Sequence, residues 1–129
     1  MAKVLLAEDD EFSRDMLVRR LKRQGYEMIA AADGREALRA VREHHPDLIL
    51  MDLDMPVMDG HTATRILKSD PRSFKIPIIV LTACASPEDV AKAVAAGCYA
   101  YETKPIVLSR LVKRIEEALR APAPELSAI

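Results

Sequence analysis

Five short apolar runs punctuate this chain: Lys3 to Ala7, Glu27 to Ala31, Leu48 to Met51, Ile76 to Leu81 and Ala100 to Thr103. Each leads into a longer segment in which apolar residues recur at helical spacing. Continuous apolar runs of this length suit strands buried on both faces rather than strands with one wet side. Strict strand-helix alternation with connections of a few residues then leaves one economical architecture. It is an α/β fold, a five-stranded parallel sheet joined by right-handed crossovers, doubly wound with helices on both faces.

The helical segments carry their own punctuation. From Phe12 to Gln24 the residues Phe12, Met16, Leu17 and Leu21 form the expected apolar stripe, with Arg14, Arg19, Arg20, Lys22 and Arg23 between them, and Gly25 ends the helix. A second helix begins at Asp33-Gly34, runs through Ala37, Leu38 and Val41, and closes at His44-His45-Pro46. The third, His61 to Lys68, carries Ala63, Ile66 and Leu67. Ser86-Pro87-Glu88-Asp89 opens a fourth that stops at Gly97, and the fifth carries Leu108, Leu111, Val112, Ile115 and Leu119.

With 129 residues the chain matches one typical domain, expected over residues 1–121, followed by a tail or linker stub at 122–129. Its 19 Lys and Arg balance 20 Asp and Glu, so the basic excess of a nucleic-acid-coating protein is missing. No run approaches the ~20 apolar residues that cross a bilayer, which argues against membrane insertion, and no signal-peptide pattern opens the chain, so a cytoplasmic protein is expected. Cys84 and Cys98 lack metal-ligand spacing and read as small hydrophobes. His44 and His45, adjacent and without a Cys or Glu partner, read as a solvated helix end.

Chemistry enters where the apolar runs stop. Parallel strands deliver their carboxyl ends to one edge of the sheet, the edge at which α/β folds bind ligands. Glu8 and Asp9, Asp52, Thr82 and Lys104 would all arrive there. Singly, these residues are ordinary strand ends and caps. Together, three crowded carboxylates resist ionisation without a compensating charge, and a divalent cation supplies it. Hard oxygen ligands suit Mg²⁺, which binds through one or two carboxylates plus phosphate. The hydroxyl of Thr82 and the ammonium of Lys104 complete a phosphoryl site. Asp52, in the middle of the set, is the candidate nucleophile, since carboxylates form aspartyl phosphates.

These residues carry a resemblance. Leu-Leu-Ala-Glu-Asp-Asp, Asp-Leu-Ile-Leu-Met-Asp-Leu-Asp-Met-Pro-Val-Met-Asp-Gly, Ile-Val-Leu-Thr-Ala and Lys-Pro stand in the order and spacing of bacterial two-component receiver domains. The chain resembles the single-domain, CheY-like kind over about residues 3 to 120, with its flavodoxin-like fold. The resemblance implies that Asp52 accepts a phosphoryl group from a sensor histidine kinase or phosphotransfer protein, making the chain a signalling phosphoacceptor that catalyses only its own phosphorylation and dephosphorylation. It implies that Asp9 ligates Mg²⁺ directly, that Glu8 acts through water, and that Asp52 and the backbone carbonyl of Asp54 complete the protein's share of the shell. It further implies that Thr82 bonds the arriving phosphoryl group, that Lys104 pairs with it, and that Lys104-Pro105 is cis. Tyr101 matches the family's switch aromatic. It would turn inward with Thr82 and alter the face of the fourth helix, fifth strand and fifth helix, where a downstream protein binds. Asp54 and Cys84 match positions that tune phosphoryl lifetime.

Two other readings compete. The hydrophobic-Asp52-Leu-Asp54 pattern is also the signature of haloacid-dehalogenase-like phosphatases. That signature opens a first strand rather than a third, is followed by a Gly-Thr-like pair where Met55-Pro56 stands, and needs an acidic metal pair downstream of Lys104. A receiver-shaped interaction module that is not phosphorylated would lack an acid, the Thr or the Lys, and none is lacking. The chain also fits a segment of a larger regulator or hybrid kinase.

Overall fold

A computed structural model describes residues 1–83 and 86–120. The strands are β1 (Lys3–Ala7), β2 (Glu27–Ala31), β3 (Leu48–Asp52), β4 (Ile78–Thr82) and β5 (Ala100–Thr103). They alternate with α1 (Glu11–Arg23), α2 (Gly34–His44), α3 (Gly60–Ser69), α4 (Pro87–Ala96) and α5 (Leu108–Arg120). All strand pairs are parallel, in the order β2-β1-β3-β4-β5. The expected fold class is the observed one. Cys84 and the tail at 122–129 lie outside the described residues.

Because side chains alternate along a strand, each strand feeds both layers. Leu5, Ile49, Met51, Ile78 and Val80 pack with Ala37, Val41, Ala63, Leu67 and Ala93 beneath α2, α3 and α4. Val4, Leu6, Leu48, Leu50, Ile79 and Leu81 point the other way, against Leu21 of α1 and Leu111 and Ile115 of α5. Every residue of β3 and β4 is buried, which is why these strands read as unbroken apolar runs. Each such Leu or Ile contributes about 1.5–3 kcal/mol by leaving water.

Four helices start on the same device. Asp10, Asp33, Asp59 and Ser86 are N-caps whose side chains accept from the backbone N–H of Ser13, Glu36, Thr62 and Asp89. Each cap holds one otherwise orphaned donor. Asp10, indistinguishable in sequence from its acidic neighbours, is therefore engaged by α1.

Two apolar positions of the helical stripes face solvent. Phe12 is 74% exposed, and Ile66 is also exposed. The inner stripe of α1 is Arg14, Leu17, Val18 and Leu21, at spacings of three and four, so Phe12 at the first turn falls on the outer side. His44 and His45 are both exposed, with His45 as the left-handed cap of α2, in keeping with a solvated helix end.

Candidate functional site

The carboxyl ends of β1, β3, β4 and β5 form one rim, and each contributes through backbone bonds that fix its height. The Glu8 amide donates to Ala31 O at 3.0 Å, extending the β1-β2 ladder by one residue. The Leu53 amide donates to Leu81 O, and the Lys104 amide donates to Thr82 O at 2.8 Å, so the residues just past β3 and β5 remain tied to β4. Behind Asp52, the Gly60 amide donates to Leu53 O, and a Cβ at Gly60 would collide with the Asp52 carbonyl oxygen. Only glycine lets α3 start this close to the strand end. The Lys104–Pro105 peptide is cis.

Glu8, Asp9 and Asp52 are brought together, each offering a carboxylate oxygen within 4.8 Å of the others. Glu8 and Asp52 are almost fully buried, at 4% and 3% exposure, whereas Asp9 is exposed. The Lys104 ammonium reaches both buried acids, 2.9 Å from Glu8 Oε1 and 3.3 Å from Asp52 Oδ1. The Asp54 amide donates to Asp52 Oδ1 at 3.4 Å, while its own side chain is exposed. Thr82, buried, closes β4 at the same rim. Tyr101 is half-buried and packs with the layer beneath α2, α3 and α4.

Three carboxylates thus face the Lys104 ammonium, and the imbalance shows in the ionisation of the two buried ones, Glu8 and Asp52. Burial, followed by the hydrogen bond and negative charge of Glu8, pushes the Asp52 carboxyl up to about 7, with Lys104 only partly offsetting them. For Glu8, burial opposes ionisation but is outweighed by hydrogen bonds from Asp52 and Lys104, so its carboxyl is held below the usual range. Lys104 is likewise penalised by burial, yet its bond to Glu8 and the charge of Asp52 hold its ammonium above the usual lysine value. A hard cation seated among these oxygens would relieve the repulsion, and the donor set fits one.

Residues 4–116 match the family model of the response regulator receiver domain. The chain belongs to that family. It is 40% identical over 116 residues to the polar-differentiation response regulator DivK of Brucella ovis, covering 90% of this chain and 94% of that one. Among solved structures, chemotaxis protein CheY4 of Vibrio cholerae superposes with a TM-score of 0.86 at 35% identity, covering 91% of this chain and 98% of that one. The receiver domain of a sensor histidine kinase from Pseudomonas aeruginosa, solved with a magnesium ion coordinated in its active-site cleft, gives 0.87 at 32% identity, covering 93% and 98%. This receiver is thus a signalling protein whose acidic cluster fits a phospho-aspartate site. Among its described residues, no helix is long and apolar enough to cross a membrane.

Two features of this receiver escaped the sequence reading. Arg14, expected on the wet side of α1, is half-buried and turns back to the Glu8 and Asp9 carbonyls. Its place in the stripe with Leu17, Val18 and Leu21 was the available signal, since a long arginine stem packs like an apolar side chain. Glu102 of β5 is buried, with Arg114 Nε at 2.9 Å and Arg110 Nε at 3.9 Å.

Proposed function

We propose that this receiver takes a phosphoryl group onto Asp52 from the phosphohistidine of a sensor kinase or phosphotransfer protein, in a Mg²⁺-dependent transfer, and so switches its binding to a downstream protein. The observation that carries the reading is the convergence of Glu8, Asp9 and Asp52 within 4.8 Å, with the Lys104 ammonium 3.3 Å from Asp52. An Asp52 carboxylate oxygen attacks phosphorus, the P–O bond forms, and the P–N bond of the donor breaks with its electron pair going to the imidazole nitrogen. Glu8, Asp9, Asp52 and the Asp54 carbonyl would hold Mg²⁺, which when bound neutralises the clustered carboxylates and balances charge on the phosphoryl oxygens.

The chain's own groups have distinct tasks. Lys104, kept protonated by its two acids, holds Asp52 in place and faces the incoming phosphoryl oxygens. Glu8 stays ionised beside it. Thr82, at the end of the strand between Asp52 and Lys104, is placed to donate its hydroxyl to the phosphoryl group. Its movement would leave room for Tyr101 to turn inward, changing the face of α4, β5 and α5. Such a switch is a population shift, limited by how much better the phosphoryl group contacts the active state. Asp54 and Cys84 would tune how long the group lasts. The alternation of buried strands, the place of Asp52 on the third strand and the family match support this reading over a dehalogenase-like phosphatase or a silent module. A phosphotransfer profile against the sensor kinases of the host tests it. Transfer from one kinase to wild type and none to Asp52→Asn is expected; equal labelling of both would sink the assignment.

A further inference from the structure

Arg14 Nη1 donates to Glu8 O at 2.9 Å and lies 3.4 Å from Asp9 O. One guanidinium nitrogen from α1 thus gathers two consecutive carbonyls of the turn between β1 and α1. Among the described residues, no other side chain is hydrogen-bonded to the Glu8 or Asp9 backbone. Among the described residues, the other hydrogen bonds that tie the backbone of this turn lie at its flanks. The Glu8 amide is tied to β2, the Asp10 amide donates to Glu8 Oε2 at 3.3 Å, and the Asp10 carboxylate caps α1 through Ser13. Asp9 sits between these anchors with an exposed side chain, although its carboxylate must meet those of Glu8 and Asp52.

We propose that Arg14 is a positioning residue for the cation site, acting by fixing the backbone that presents Glu8 and Asp9. The inference rests on the proposed Mg²⁺-dependent function. Its interest is that geometry and charge pull in opposite directions. A guanidinium bonded to the backbone of Glu8 and Asp9 adds positive charge near the cation site, so on Coulomb grounds its removal leaves Mg²⁺ binding unchanged or tighter. As a brace for the ligand-bearing turn, its removal weakens Mg²⁺ binding, because groups that orient metal ligands typically change affinity by about 10- to 100-fold. A residue that merely satisfies two carbonyls for stability would leave only the Coulomb effect. The sign of the change therefore separates the two roles.

The test is calorimetric titration of MgCl₂ into wild type, Arg14→Met and Arg14→Lys at constant ionic strength. Methionine keeps an apolar stem in the buried stripe, and lysine keeps the charge while losing the planar fork. Weaker binding in Arg14→Met by about 10-fold, with a smaller loss in Arg14→Lys and faster amide exchange at Asp9 and Asp10 without metal, is expected. Equal or tighter binding in Arg14→Met overturns the proposal. Should Arg14→Met fail to fold by circular dichroism, Arg14→Lys decides, since affinity unchanged from wild type would equally overturn it. Asp9→Asn is the control for the site itself. If wild type binds no Mg²⁺, or Asp9→Asn binds it as tightly, the cation site is wrong and the proposal falls with it.

Discussion

Replacing Asp52 by Asn should make the metal-free protein more stable, and the gain should depend on pH. The Asp52 carboxyl, usually near 3.8, is pushed up to about 7 by burial and by Glu8. Its folded value lies above its unfolded one, so between about pH 4 and pH 7 the folded state holds a proton that the unfolded state has released. Wild-type stability therefore falls as pH rises through that window, and the loss is complete above the folded value. Moving a carboxyl from 3.8 to about 7 corresponds to at most about 4 kcal/mol. Relaxation, screening and the loss of the Lys104 contact in the variant reduce that to ~2 kcal/mol at pH 8. For a domain of this size that is a rise in melting temperature of about 5 to 10 °C. Urea unfolding followed by circular dichroism in EDTA at pH 5 and pH 8 measures it. Added Mg²⁺ should stabilise wild type and close the gap, since a ligand for the native state adds stability by mass action. An Asn variant no more stable than wild type at pH 8, or a gain as large at pH 5, would refute the repulsion.

Three further substitutions test local physics. Val57 has φ 68°, with the Met58 amide bonded to Pro56 O at 2.7 Å around it, a strained γ-turn for a β-branched residue. Its side chain is 72% exposed, so Val57→Asn should gain about 1 kcal/mol in urea unfolding by relieving strain without losing packing; a loss would place Val57 in a contact that its exposure conceals. In the Glu102, Arg110 and Arg114 cluster, Arg114→Ala should destabilise by ~1.5 kcal/mol, because it strips a buried carboxylate of its nearest partner while Arg110 and solvent still reach it. Glu102→Leu should fall within about 1 kcal/mol of wild type, and a larger loss would show that the ion pair itself stabilises the fold.

The strands were legible because helices cover both sheet faces, which turns β3 and β4 into unbroken apolar runs. The rim was legible for the same reason, since Glu8, Asp52, Thr82 and Lys104 stand where those runs stop. Helix starts at Asp33 and Ser86 announced themselves by capping chemistry. What stayed hidden depended on reach rather than polarity. Phe12 fits the period of α1 but faces solvent, whereas Arg14 fits the inner stripe because its stem is apolar and its head finds carbonyls. Asp10, the third acid in a row after β1, is given to the helix by its bond from Ser13. Glu102 drew no reading from its strand because its arginine partners lie on α5, which sequence spacing alone does not bring to it.

Labelling by a small phosphodonor, read by mass spectrometry of the intact chain and of its fragments, tests Asp52 as phosphoacceptor most directly. The expected result is one phosphoryl group per chain, on Asp52, dependent on Mg²⁺ and abolished by EDTA or by Asp52→Asn. Undiminished labelling of Asp52→Asn, or labelling of wild type that persists in EDTA, would contradict it.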